Sequence, residues 1–305
     1  MRPSSKRPAL GISVSALLTA CVFLGLAVAG VAEEQPRLVV GLIPEMNVFE
    51  QADRFRLLGE FLSERIGVEI EFSMLSRYGN IVERIVGKQV DAAFLGSFTG
   101  ALASAQLAME PVARPINLDS SSTYWGYVFV RRDSGIENVD QMRGLRLALV
   151  EKATTAGYVF PVAFFRRHGV EDIEDYFGEV QFWGSHDASI DAVLQGRADV
   201  GAAKNTVWEY LARENPGLLT ELWILETSPK VPSNGLFLSR QVDPSIREAI
   251  RSTLLSLHKD PAATEVLKRL RVKGFVPTDL ASYEPVFDLA RAAGIDMASY
   301  SYRNR

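Results

Sequence analysis

The sequence predicts an α/β protein in two lobes, each a mainly parallel sheet flanked by helices, with a cleft between them. Three observations predict it. From residue 37 onwards short apolar runs alternate with amphipathic segments in strand–helix order. The alternation runs twice, the second round opening near Tyr124, with no low-complexity linker between the rounds. Of the 305 residues, 47% are hydrophobic and 23% charged, a balance that supports a full core and excludes a disordered, collagen-like or multi-span membrane chain. Two rounds without a linker predict lobes joined by crossing strands, residues 37–122 with 233–305 forming one and 123–232 the other.

Residues 1–32 are predicted to be a signal peptide outside the fold. Arg2, Lys6 and Arg7 make a cationic start, a mostly apolar uncharged run follows from Pro8 to Ala32, and Glu33 and Glu34 end it. A basic flank, an apolar stretch and small residues before a polar boundary mark an export signal. Gly30-Val31-Ala32 favours cleavage after Ala32, with Ala27-Val28-Ala29 as the other cut site. Two further fates fit the same residues. Leu18-Thr19-Ala20-Cys21 reads as a lipobox that would lipidate Cys21, and the uncut run is long enough to anchor in a bilayer core of about 30 Å. Cys21 is the single cysteine, so no intramolecular disulfide forms and no cysteine zinc site is available. A mature chain free of cysteine folds without an oxidation step, consistent with the periplasm.

The elements follow in order. Arg37 to Pro44 is an apolar run stopped by proline, a buried strand. Phe49 to Ile66 carries apolar residues at 55, 58, 61, 62 and 66, an amphipathic helix ended by Gly67. Val68-Glu69-Ile70-Glu71-Phe72 alternates strictly and reads as a strand. Asn80 to Val86 is helical, Asp91 to Gly96 a buried strand and Thr99 to Met109 a small-residue helix. In the second round Tyr127–Val130, Leu145–Val150, Val180–Trp183, Asp199–Ala203 and Leu222–Glu226 read as strands. Helices are expected at Tyr158–Arg167, Ala188–Leu194 and Val207–Arg213. After Leu236-Phe237-Leu238 they recur at Pro244–His258, Ala262–Leu270 and Leu280–Ala293.

Open parallel sheets bind ligands at the carboxyl ends of their strands. Here those ends are small, polar and hydroxyl-rich: Pro44-Glu45-Met46-Asn47, Gly96-Ser97-Phe98-Thr99, Thr154-Thr155-Ala156-Gly157, Gly184-Ser185-His186-Asp187 and Lys204-Asn205-Thr206. Each precedes a helix, whose first N–H groups and partial positive charge favour an anion.

The order and spacing of these segments resembles the phosphonate/phosphite-binding proteins of ABC transporters, a group of the type II periplasmic solute-binding fold. The resemblance runs over about residues 37 to 295. It is carried by Tyr78 with Val90-Asp91-Ala92-Ala93-Phe94-Leu95-Gly96, by Arg132-Asp133-Ser134-Gly135-Ile136, by Thr154 to Pro161, and by Gly184-Ser185-His186-Asp187-Ala188. It implies an exported, monomeric receptor that captures a small oxyanion between its lobes and delivers it to an ABC permease in the inner membrane. It also implies that the hydroxyl-rich segment holds the phosphonyl oxygens. The implied ligand set is Tyr78, Ser97, Phe98, Tyr124, Thr154, Thr155, Ala156, Gly157, Ser185, His186 and Lys204. The chain departs from the family's pattern at three of these positions. Ala156 stands where the family's Ser-Thr-Ser-Gly run has a hydroxyl, Phe98 where a tyrosine is common, and Lys204 where an acid often receives a ligand amine. Lys204 disfavours an aminoalkyl ligand and suits a second acidic group or a plain oxyanion.

Each residue also has a structural reading. Thr154 and Thr155 serve as helix caps, and His186 as a cap-region histidine. Lys204, after a buried strand, meets either an anion or an internal acid such as Glu151 or Asp187. Tyr78, Tyr124 and Trp125 are equally core residues. Catalysis finds no support: Gly-x-Ser-x-Gly, His-Glu-x-x-His and the phosphate-binding Gly-x-x-x-x-Gly-Lys-[Ser/Thr] are absent, and neither a metal nor a cofactor is expected. The net charge of −4 gives no basic excess for nucleic acid. A second function remains open, a periplasmic sensor tethered by an uncut N-terminus and signalling to a partner protein.

Overall fold

The computed structural model describes residues 36–45, 47–76 and 80–301. The expected signal segment and Tyr78 lie outside them. In chain order the first half of the fold is β1 (Arg37–Leu42), α1 (Val48–Ile66), β2 (Glu69–Met74), α2 (Asn80–Val86), β3 (Ala92–Leu95), α3 (Ser97–Leu107), β4 (Glu110–Asn117) and the short β5 (Thr123–Tyr124). Then come β6 (Gly126–Arg131), β7 (Arg146–Leu149), a π-helical turn at Thr155–Val159 that opens α4 (Phe160–Arg167), α5 (Ile173–Tyr176), β8 (Glu179–Phe182), α6 (His186–Leu194), β9 (Val200–Lys204), α7 (Asn205–Glu214), α8 (Leu218–Glu221) and β10 (Leu222–Thr227). The chain finishes with β11 (Val231–Pro232), β12 (Gly235–Leu238), α9 (Pro244–Ser256), α10 (Thr264–Leu270), β13 (Val272–Pro277) and α11 (Glu284–Ala292). Among the described residues no helix is long and apolar enough to cross a membrane.

Two sheets result. One has six strands in the order β13-β4-β12-β3-β1-β2, the other five in the order β10-β6-β9-β7-β8, and β5 pairs with β11 where the chain crosses between them. The strand–helix–strand units run parallel, β1 with β2 and β3, and β7 with β8 and β9. The remaining partners are antiparallel: β12 on β3 and β4, β13 on β4, β6 on β9, and β10 on β6. Both sheets are therefore mixed, and the mainly parallel sheet expected from the sequence is confined to the strands linked by crossover helices. β4 and β13 are absent from the sequence reading. Pro111 and Pro115 hide β4, because proline cannot donate to a ladder. The register of β4 shifts against both neighbours, between Leu236 and Phe237 and between Val272 and Gly274, which accommodates the prolines as irregularities in an inner strand.

Local chemistry sets the ends of the helices that start at the cleft. The Asn47 side chain accepts from the N–H groups of Phe49 and Glu50 to start α1, and Gly67, at φ 67°, ends it in the left-handed conformation that glycine tolerates. Ser185 accepts from Ala188 N to start α6.

The packed interior falls into three parts. One lies under α1, α9 and α10 on the six-stranded sheet, with Leu42, Leu58, Leu62 and Leu254 at its centre. Another lies under α6 and α7 on the five-stranded sheet, around Phe129, Ile190, Val193 and Trp208. The third runs between the two sheets and draws from both, joining Phe98, Leu102, Phe237 and Tyr283 to Val128, Leu149, Phe160 and Phe164.

Candidate functional site

The strand ends of both sheets meet at Lys204, the last residue of β9. Its ammonium is 2.7 Å from Glu45 Oε1, just past β1, and 2.9 Å from Asn234 Oδ1, just before β12. It also stands 4.4 Å from the centre of the Tyr124 ring. Lys204 is buried, its side chain 8% exposed against 24% for Glu45. The sequence reading offered Glu151 or Asp187 as an internal acid; the partner is Glu45, from the opposite sheet. Asp187 instead accepts from Ser185 Oγ and from Ala188 N at the start of its own helix.

His186 completes this centre. Its backbone N–H donates to Glu45 O at 3.2 Å, and its Nδ1 accepts from Lys204 N at 3.2 Å. An accepting Nδ1 places the proton of the neutral ring on Nε2. Burial, with the Lys204 charge adding to it and Glu45 opposing, pushes the imidazole down to about 3, so the ring is neutral at physiological pH. Burial pushes the Glu45 carboxyl up. The charge and hydrogen bond of Lys204, with His186 and Asn234, outweigh that and hold it below the ordinary carboxylate range.

The hydroxyl-rich segments face each other a short way off, and their side-chain hydroxyl oxygens are engaged with protein. Phe98 N donates to Thr155 Oγ1 at 2.9 Å, and Thr99 Oγ1 donates to the Ala153 carbonyl at 2.8 Å. Thr154 Oγ1 donates to Glu151 O at 2.7 Å. Ser97 Oγ donates to Pro232 O at 2.7 Å and lies 2.9 Å from the Tyr124 hydroxyl. Phe98 is fully buried, edge-on to Tyr300 at 5.5 Å, and Ala156 is 2% exposed. Gly157 leaves no room for a side chain, since a Cβ there would come within 2.4 Å of Val150 Cγ2. The bonds of Phe98 to Thr155 and of Thr99 to Ala153 run from α3 on the six-stranded sheet to the turn before α4 on the five-stranded one, so this part of the cleft is a seam between the sheets.

On the other side of Lys204 the sheets stand apart around a cavity of about 250 Å³. Ile43, Glu45, Gln51, Arg54, Phe55 and Phe94 line it from the six-stranded side, with Asn117, Asn234, Arg271 and Phe275. Asn205, Thr206, Glu209, Tyr210 and Arg213 line it from α7. Tyr210 OH donates to Glu50 Oε1 at 2.6 Å, and the Arg271 guanidinium stacks 4.1 Å over the Tyr210 ring, a second link between the sheets.

Of the ten residues expected at the ligand that are among the described ones, only Lys204 lines this cavity. Ser97, Phe98, Thr154, Thr155, Ala156 and Gly157 form the seam. Tyr124 and His186 pack around Lys204, Ser185 caps α6, and Tyr78 is outside the described residues. Sequence reasoning missed Arg54, Tyr210, Asn234 and Arg271. Glu45 carried a signal, as it sits in one of the strand-end segments, but its pairing with a lysine 159 positions away left none.

Two sheets with crossing connections, helix starts gathered at the carboxyl ends of their strands, and a charged cleft between them define a two-lobed solute-binding protein. The chain belongs to the family of periplasmic substrate-binding proteins of ABC phosphonate transporters, which it matches over residues 40–283. It is 26% identical over 267 residues to the probable ABC transporter phosphite binding protein of Prochlorococcus marinus, covering 83% of this chain and 89% of that one. It is 22% identical to the phosphonates-binding periplasmic protein of Escherichia coli, over 85% of this chain and 78% of the relative. Among solved structures, a binding protein component of an ABC phosphonate transporter from Pseudomonas aeruginosa superposes with a TM-score of 0.79, at 19% identity over 86% of this chain and 87% of that one. The Prochlorococcus marinus protein in complex with methylphosphonate superposes with a TM-score of 0.74, at 22% identity over 85% and 98%.

Proposed function

We propose that this chain is an exported receptor that closes its lobes on a small solute bearing an oxyanion, of the phosphonate, phosphite or phosphate kind, and passes it to an ABC permease in the inner membrane. It acts as a monomer and as a receptor, without turning its ligand over. The observation that carries this reading is the charge of the cleft. Arg54, Lys204, Arg213 and Arg271 line the cavity against Glu45, Asp119 and Glu209, in a chain whose net charge is −4. Glu45 is neutralised by Lys204 and Arg271 stands 3.8 Å from Glu50, and the half-buried guanidinium of Arg54 makes its side of the cavity favourable to an anion.

We take the lobes to be residues 37–122 with 233–305, and 123–232. The six-stranded sheet draws only on the first two of these segments and the five-stranded sheet only on the third, which supports that division. A ligand touching both lobes favours the closed form by its differential affinity, and closure is what a permease would read. The N-terminal segment directs export and is cut after Ala32, which mass measurement of the exported product tests.

Isothermal titration of the mature chain with phosphonates, phosphite, phosphate and sulfonates tests the receptor reading. Heat and a thermal shift with at least one phosphorus oxyanion are expected. Silence across the whole panel would overturn it.

A further inference from the structure

We propose that Tyr300, in the segment that follows α11, is a positioning residue for the solute: its hydroxyl fixes the turn ahead of α4, at which the oxyanion is expected. The inference rests on the receptor reading above and adds to it a residue beyond positions 40–283, over which the family matches. Three observations lead to it.

The first is where the tyrosine sits. Its hydroxyl donates to the Lys152 carbonyl at 2.9 Å, and its ring stands edge-on to Phe98 with centres 5.5 Å apart. It also shares a hydrogen bond with Tyr158, inside the π-helical turn. Phe98 lies in the first turn of α3, packed on the six-stranded sheet, while Lys152 and Tyr158 flank Thr154-Thr155-Ala156-Gly157 on the five-stranded side. Tyr300 therefore grips the expected ligand segment ahead of its first residue and behind its last.

The second is how the segment after α11 holds this ring. Gly294, at φ 73°, ends the helix and turns the chain. The Asp296 side chain accepts from Ala298 N at 3.1 Å and from Ser299 Oγ, closing a turn just before Tyr300. Gln106 Nε2, on α3, donates to Met297 O at 3.1 Å and to Tyr300 O at 2.9 Å. The tyrosine's own carbonyl is thus pinned to α3, and its side chain spans the remaining distance to the turn.

The third is what the bond does to the turn. The carbonyls of Lys152 and Ala153 are consecutive, and each takes a hydroxyl from the six-stranded side, Tyr300 on the first and Thr99, at 2.8 Å, on the second. A peptide unit is planar, so fixing its carbonyl also fixes the direction of the N–H that follows. The Ala153 and Thr154 N–H groups are aimed in this way, and Thr154 N donates to Glu151 O at 3.0 Å, closing the loop that leads into Thr155. An oxyanion at a helix start is held by the direction of such N–H groups, and a turn set in advance binds it more tightly than one that must order on binding.

Amide hydrogen exchange of the full mature chain without ligand, and titration with phosphite, phosphate and methylphosphonate, test the proposal on Tyr300→Phe and Gln106→Leu. Tyr300→Phe keeps the ring on Phe98 and removes only the hydroxyl. It is expected to speed exchange over residues 152–158 by at least about threefold. It is also expected to weaken whichever of the three binds the parent best by roughly three- to tenfold, measured well below the melting transition, where a loss of stability alone leaves affinity unchanged. Gln106→Leu, which releases the segment from α3, is expected to give the same pattern, and it decides should Tyr300→Phe fail to fold. Unchanged exchange over 152–158 overturns the positioning role, and so does faster exchange with unchanged affinity; the receptor reading then stands. If the parent itself binds none of the three, the receptor reading falls and takes the positioning role with it.

Discussion

The ammonium of Lys204 and the carboxylate of Glu45, 2.7 Å apart, tie the end of a strand in one sheet to the end of a strand in the other. The pair is worth more intact than broken. Taking away one partner leaves a charge in a place where water hardly reaches, which costs on the order of 3 kcal/mol, while removing both is close to neutral. Glu45→Gln therefore lowers the melting temperature by several degrees for a fold of this size. Combining it with Lys204→Met restores most of the loss. Thermal melts of the three variants check this, and a Glu45→Gln protein as stable as the parent would show that the pair does not hold the lobes.

Thr155 is expected to matter for stability through its oxygen. Thr155→Val keeps the shape and removes the acceptor of the Phe98 N–H, a buried donor left without its bond. Such a loss costs about 1–3 kcal/mol, and Thr155→Ser, which keeps the oxygen, costs clearly less. Denaturant midpoints of the two variants measure the difference.

The seam also explains what the sequence could and could not say. The strands linked by crossover helices were legible because β1, β3, β7 and β9 are short apolar runs and the helices between them are amphipathic. Thr154-Thr155-Ala156-Gly157 was legible as a helix start rich in hydroxyls. Composition cannot tell whether such hydroxyls face a guest or another part of the same chain. That depends on α3 and the turn before α4 meeting across the cleft, and Phe98 and Thr155 are 57 positions apart. The cavity was not legible for the same reason. Arg54 lies on the mid-face of α1, Tyr210 on α7, and Arg271 follows α10, so no local pattern gathers them.

Gly157, one of the expected ligand residues, is also a tightly packed position. An added Cβ would sit 2.4 Å from Val150 Cγ2 and 2.7 Å from Thr154 Oγ1. Gly157→Ala is therefore expected to cost about 1–3 kcal/mol or more by overpacking. Trimming the neighbour with Val150→Ala should recover part of it. A Gly157→Ala protein that melts with the parent but loses ligand would place the solute at this glycine.

Stability should fall with acidity in two stages, and His186 drives the first. In the unfolded chain its imidazole takes a proton near pH 6.5, whereas in the fold it stays neutral down to about pH 3. Between those values the unfolded state binds more protons, so stability decreases as the pH drops, by up to about 1.4 kcal/mol per pH unit. Glu45 enters lower. Its folded value lies below the ordinary 4.5, so the unfolded chain again binds the extra proton, and a second loss begins as the pH falls through that range. His186→Asn offers an oxygen to the Lys204 N–H in place of Nδ1 and removes the titration. Unfolding free energies from pH 8 to pH 4 are expected to slope downward below 6.5 in the parent and to stay flat to about 4.5 in the variant. Parallel slopes for the two proteins would mean that another group carries the first stage.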